Sequence, residues 1–202
     1  MTQRHILKIS RLEGLADGIF AIAMTILVLD LHLPAGILTA DLPGILFKLV
    51  MFKLFIYMGS FIILGTLWVA MNFQLGLLER INRPYIWINV FYLMVVCVVP
   101  FSASLLASYP NSYVSILFYA MNLIFAYLGQ LLTIQCAYLL NLNHEDYTPA
   151  IRHAVLQRIF VAPIFCVAAI FLAYWNTRIA FVTLLIPTIL YMFPGKIDKF
   201  DR

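Results

Sequence analysis

Asp17 lies inside an apolar run, Gly14 to Leu33, that is long enough to cross the roughly 30 Å hydrocarbon layer of a bilayer. A carboxylate at that depth costs about 3 kcal/mol or more unless it is partnered, so it marks either a functional position or an anchor between helices. Neither Arg11 nor Glu13 stands at a suitable same-face spacing to be that partner. The donor is therefore expected on another helix or in water. Catalysis would require converging His, Asp, Glu or Cys groups, and the sequence does not assemble them. His5, His32, His144 and His153 sit in tails or loops. His144, Glu145 and Asp146 could hold a metal, but a polar stretch of that kind reads more simply as a solvated turn. Cys97, Cys136 and Cys166 occur singly in apolar segments and read as small buried hydrophobes. Neither an enzyme nor a metal centre is expected.

The surrounding composition explains why Asp17 stands out. Of the 202 residues, 64% are hydrophobic and 11% charged, against about a quarter charged in soluble domains. With a mean hydropathy of +0.97, so little polar surface cannot cover a globule in water. The first apolar run continues for about twenty residues with no small-residue cleavage site, so it is expected to remain as a spanning helix. Basic residues are scattered among short loops, which excludes a nucleic-acid surface.

Six apolar stretches, near 14–33, 54–77, 85–108, 113–140, 156–174 and 179–193, predict an all-α polytopic membrane protein forming one six-span domain over residues 1–202. Turn residues separate them: Pro34-Ala35-Gly36, Asn82-Arg83-Pro84, Tyr109-Pro110-Asn111, Asn141 to Pro149, and Trp175-Asn176-Thr177. A weaker stretch, Leu42–Met51, extends the second helix or lies at the interface. With cytoplasmic termini, the inner side holds Arg4, Lys8, Arg11, Arg80, Arg83, Arg152, Arg158, Lys196, Lys199 and Arg202, leaving Lys48, Lys53 and Arg178 outside. That bias predicts a multi-pass protein of the cell membrane with both termini inside. Arg152, His153 and Arg158 are expected to anchor the fifth helix at anionic headgroups.

Two features of the first helix stay open on periodicity alone. Gly14 and Gly18 have the small-xxx-small spacing that lets backbones approach, either within one chain or among several copies. Ile22, Ile26 and Leu29, with Thr25 beside them, form an i, i+4, i+7 stripe that is ordinarily core or lipid-facing.

The segment Arg11-x-x-x-Leu15-Ala16-Asp17-Gly18-Ile19-Phe20-Ala21-Ile22-Ala23-Met24-Thr25 resembles the signature of prokaryotic homologues of transmembrane protein 175, the lysosomal potassium channel family. Gly65-Thr66-Leu67-Trp68, Asn89 and Pro100-Phe101-Ser102 agree with it. The chain departs from the pattern at Leu15 and Ala16, and Met71-Asn72 stand where a His pair is usual. The resemblance implies a homotetramer in which the first helix of each subunit lines a potassium-permeable pore, with no filter loop and no cofactor. It further implies a hydrophobic constriction at Ile22, Ile26 and Leu29, with Thr25 at a polar position. Arg11, Asp17 and Trp68 would form a network between helices. Asp30 is a candidate for the outer mouth, where it would concentrate cations, or else is an exposed interfacial carboxylate. The expected partners are further copies of the chain, membrane lipids, and potassium with other monovalent cations. A secondary transporter or a proton-conducting protein is the alternative. Pro100, Pro163 and Pro187, and the polar residues Asn122, Gln130, Thr133 and Gln135, are the features a transporter would use.

Overall fold

The computed structural model describes residues 8–31, 50–144 and 147–192, apart from the side chains of Asp30 and Met192. His5, His32, Pro34-Ala35-Gly36, most of Leu42–Met51, Glu145 and Asp146 lie outside the described residues.

Among the described residues seven helical segments follow one another: α1 (Ile9–Ile26), α2 (Met51–Gly76), α3 (Arg83–Cys97), α4 (Val99–Ser108), α5 (Tyr113–Leu139), α6 (Pro149–Ala173) and α7 (Thr177–Met192). A 3₁₀ turn, Leu27–Asp30, continues α1. Together α3 and α4 make one span, Arg83–Ser108, so the described residues include five helices long and apolar enough to cross a membrane and a shorter apolar sixth. The expected six-helix, all-α membrane fold is what forms.

Local chemistry sets the helix ends. Asn82 accepts a hydrogen bond from the Tyr85 amide at 3.0 Å, capping α3 with Pro84 in its first turn. Thr148 caps the Ile151 amide, and Pro149 opens α6. The third span changes register at Val98, because Pro100 has no N–H to donate to the preceding turn. Ser102 then donates its hydroxyl to the Val99 carbonyl at 2.9 Å. Pro163 and Pro187, by contrast, lie within continuous helices.

Two boundaries differ from the sequence expectation. The first helix starts at Ile9 rather than Gly14, and the fifth at Pro149 rather than Leu156. In both cases a polar first turn precedes the apolar run, and hydropathy alone assigns such a turn to the loop. At one end of the bundle the loops after α2 and α5 are clasped together. Leu78 and Asn143 form an isolated antiparallel bridge, and the Glu79 amide donates to the Leu142 carbonyl at 2.9 Å.

Small residues govern packing among the later helices. Ala162, Cys166, Ala169 and Ala173 recur along the packed face of α6. A Cβ at Gly129 of α5 would come within 2.9 Å of the buried Tyr92 ring of α3, so the glycine is what permits that approach. The polar residues of α5 are tied across helices: Asn122 donates to Ser102 at 3.1 Å and Thr133 to Gln74 at 2.8 Å. Such bonds account for most of the polar stripe without a broken helix. α1 lies against α2, α3 and α4, while α6 packs chiefly on α5 and α7.

Two of the three expected headgroup anchors, Arg152 and Arg158, also have partners within the chain. Arg152 donates to Gln135 at 2.9 Å and lies over the Tyr138 ring, and Arg158 donates to the Tyr191 carbonyl at 2.6 Å. Tyr191 returns a short hydrogen bond to the Arg158 carbonyl, fixing α6 to α7. Among the cysteines, Cys166 is buried and Cys136 half-buried, but Cys97 is exposed, contrary to its reading as a buried hydrophobe.

Candidate functional site: the open face of the first helix

Helix α1 has two unlike faces. Leu12, Ala16, Phe20, Ala23 and Leu27 are buried against the chain's own helices, the most exposed of them at 4%. Their spacing of four, four, three and four residues is a single helical stripe. On the opposite side Ile22 is 60% exposed, Ile26 44% and Leu29 73%, with Leu15 and Val28 also uncovered. These side chains protrude from the subunit although each would favour removal from water by about 2 kcal/mol. Either lipid or another protein surface must cover them.

The glycines behave likewise. A Cβ built on Gly14 or Gly18 would meet nothing within 4 Å. Packing within the chain therefore does not require either residue, and of the two readings of their spacing the intrachain one is removed.

Thr25 shares the open face. Its hydroxyl donates back to the carbonyls of Ala21 and Ile22, both at 2.9 Å. The donor is thus spent on the helix itself, and what Thr25 presents outward is acceptor oxygen and methyl. From Ile22 to Ile26 the stripe rises by about 6 Å, and the 3₁₀ turn then carries Leu29 farther along the axis. Asp30 ends that turn; its side chain lies outside the described set.

Halfway along α1 the Trp68 indole N–H donates to Asp17 Oδ1 at 2.8 Å. This supplies the donor on another helix that the intramembrane carboxylate required. Trp68 sits two turns before the end of α2. Arg11 is exposed and, among the described residues, makes no ion pair with Asp17, so the structure joins two of the three expected network residues and leaves the third apart.

A groove of about 410 Å³ runs beside the stripe, lined by Ile19, Ile22, Ala23 and Ile26 of α1 and by Cys97, Pro100, Phe101 and Ser104 of the third span. The sequence reading gave Cys97 only as a small buried hydrophobe and did not place it beside the first helix. Phe101 follows the helix-breaking Pro100, and that proline was the available signal. No group of three or more His, Cys, Asp or Glu residues able to hold a metal occurs among the described residues.

A bundle of apolar helices whose first helix leaves one apolar face unpartnered defines a polytopic membrane protein. Residues 11–100 match the sequence model of the endosomal/lysosomal potassium channel TMEM175 family. The chain is 35% identical over 102 residues to a potassium channel of Streptomyces collinus, covering 49% of this chain and 48% of that one. Against a potassium channel of Chamaesiphon minutus it is 31% identical over 100 residues, 49% of each. The chain thus spans about half the length of these relatives. A more distant match, 23% identical over 182 residues, covers 87% of this chain and 35% of the endosomal/lysosomal proton channel TMEM175 of Danio rerio. The fold is that of the crystal structure of a lysosomal potassium-selective channel TMEM175 homolog from Chamaesiphon minutus, with a TM-score of 0.75 at 23% identity over 91% of this chain and 96% of that one.

Proposed function

We propose that the chain is one subunit of a homotetrameric, potassium-permeable cation channel in which α1 of each copy lines the pore. The observation that carries this reading is the two-faced character of α1: Leu12, Ala16, Phe20, Ala23 and Leu27 are packed at home, while Ile22, Ile26 and Leu29 are left uncovered. Two bacterial relatives, each matched over about half of the chain, are named potassium channels, which favours a pore partner over lipid for that face. The whole chain acts as a single six-span unit in the cell membrane with both termini cytoplasmic, an orientation supported by the distribution of its basic residues.

On this reading Ile22, Ile26 and Leu29 form stacked apolar rings. A narrow apolar ring resists wetting, and it discriminates among partly hydrated cations by width without carbonyl ligands. Thr25 interposes acceptor oxygens between the Ile22 and Ile26 rings. Asp30 stands at the outer mouth, where the C-terminal end of α1 and four carboxylates would together raise the local cation concentration. Potassium is the permeant ion, no cofactor takes part, and selectivity over sodium is modest.

The test is flux through purified protein in liposomes under a potassium gradient, paired with Ile22→Ala and Leu29→Ala. Faster or less selective flux in the variants is expected. Absence of potassium conductance in the wild type would sink the channel reading. Proton conduction is the second reading, favoured by the name of the Danio rerio relative, and a pH-sensitive dye in the same liposomes separates the two.

A further inference from the structure

We propose that the start of α6 holds the phosphate group of one anionic phospholipid, with its acyl chains lying along the outward face of the same helix. A cavity of about 170 Å³ opens there, lined by Tyr138, Tyr147, Thr148, Arg152, His153 and Leu156. Arg152 is held in place within it, its Nη2 donating to Gln135 at 2.9 Å and its guanidinium carbon 3.9 Å from the Tyr138 ring centre. Its Nε, although buried, has no hydrogen-bond partner among the described residues. A buried guanidinium N–H without an acceptor costs free energy, and a phosphate oxygen is the acceptor whose geometry suits it. Arg158, two turns along, differs because it already donates to the Tyr191 carbonyl. Burial pushes the Tyr147 phenol above its ordinary value, so at neutral pH it remains a hydroxyl donor.

The outward face of α6 argues for a lipid over a free anion. His153, Phe160, Ile164, Val167 and Phe171 follow one another at helical spacing and are all exposed, the four apolar ones by 45% or more. The apolar stripe begins at Phe160, one turn beyond the exposed polar pair His153 and Gln157, which bond each other at 2.9 Å between the cavity and the stripe, as a polar zone lies between a headgroup and its chains. This site is separate from the α1 face and does not depend on conduction.

The probe is phosphatidylglycerol titrated onto detergent-purified full-length protein, with bound lipid counted by native mass spectrometry. Phosphatidylcholine and inorganic phosphate serve as separate arms. One tightly bound phosphatidylglycerol per chain is expected, weakened about tenfold in Arg152→Gln through loss of a charge-assisted hydrogen bond, while phosphatidylcholine binds both proteins alike. Unchanged phosphatidylglycerol affinity in Arg152→Gln overturns the proposal. So does inorganic phosphate bound at Arg152 with the lipid binding independently of it. If Arg152→Gln melts early, Arg152→Lys and the double variant Phe160→Ala/Ile164→Ala take its place, and wild-type lipid affinity in both is equally fatal.

Discussion

The Trp68 indole donates to the Asp17 carboxylate across 2.8 Å, joining α2 to α1 at the edge of the subunit's uncovered face. Removing either partner leaves the other unsatisfied at membrane depth. Trp68→Phe and Asp17→Ala should each lower the melting temperature and the oligomer's resistance to detergent, by on the order of 1 kcal/mol. The double variant should cost little more than either single one, because both remove the same bond. Additive losses in a thermal-melt cycle would show that the two residues act separately. An assembled Asp17→Asn protein that has lost ion selectivity would move Asp17 from a structural to a permeation role.

The two faces of α1 predict opposite phenotypes for neighbouring positions. Phe20→Ala opens a cavity in a packed interior and should cost about 3 kcal/mol of stability. Ile26→Ala, six positions along on the uncovered face, should leave the isolated subunit's melting temperature within about 0.5 kcal/mol of wild type yet change liposome flux. If Ile26→Ala destabilises the subunit as Phe20→Ala does, the stripe belongs to the core.

Hydropathy and turn residues are sufficient to locate the spans, because a stretch such as Tyr113–Leu139 can remain in a bilayer only as a helix. The polar turns at Ile9–Glu13 and Pro149–Arg152 escaped that criterion: the second is held by the Thr148 cap and by Gln135, distant in sequence, whereas the first follows Lys8 with no side-chain cap. The uncovered face of α1 was not legible either. Ile22-Ile26-Leu29 and Phe20-Ala23-Leu27 are both apolar stripes at helical spacing, and only the placement of α2, α3 and α4 decides which is buried. Asp17 was legible as a residue needing a donor, because an unpartnered carboxylate is costly there whatever the fold. That the donor is Trp68, on another helix, required the packing.

The glycines separate contacts within the chain from contacts between copies. Gly129→Ala forces a methyl against the buried Tyr92 ring, which is hemmed in by α5, and should destabilise the fold by about 1–3 kcal/mol. Gly14→Ala and Gly18→Ala meet nothing in the chain and remove helix-interior glycines, so each should stabilise the isolated subunit by about 0.5–1 kcal/mol. Size-exclusion profiles then report on assembly alone. A shift toward monomer in Gly18→Ala with an unchanged or raised subunit melting temperature would place the Gly14–Gly18 face against another copy. An unchanged oligomer would place it toward lipid or the pore.

Thr133 and Gln74 provide the last test. Thr133 Oγ1 lies 2.8 Å from Gln74 Oε1 and 2.7 Å from the Gln130 carbonyl, with both side chains buried in the bundle. Thr133→Val keeps the volume but removes the only hydrogen that Gln74 Oε1 receives among the described side chains. An amide oxygen orphaned in the buried core is costly, so the loss should exceed the roughly 0.6 kcal/mol typical of an interhelical bond in a membrane and approach 2 kcal/mol. Gln74→Leu combined with Thr133→Val removes both polar groups and should recover most of that loss, because an apolar pair leaves nothing unsatisfied. Thermal melts of the three variants in one detergent decide the matter. If the double variant is no more stable than Thr133→Val alone, the bond's direct contribution outweighs the cost of the stranded oxygen.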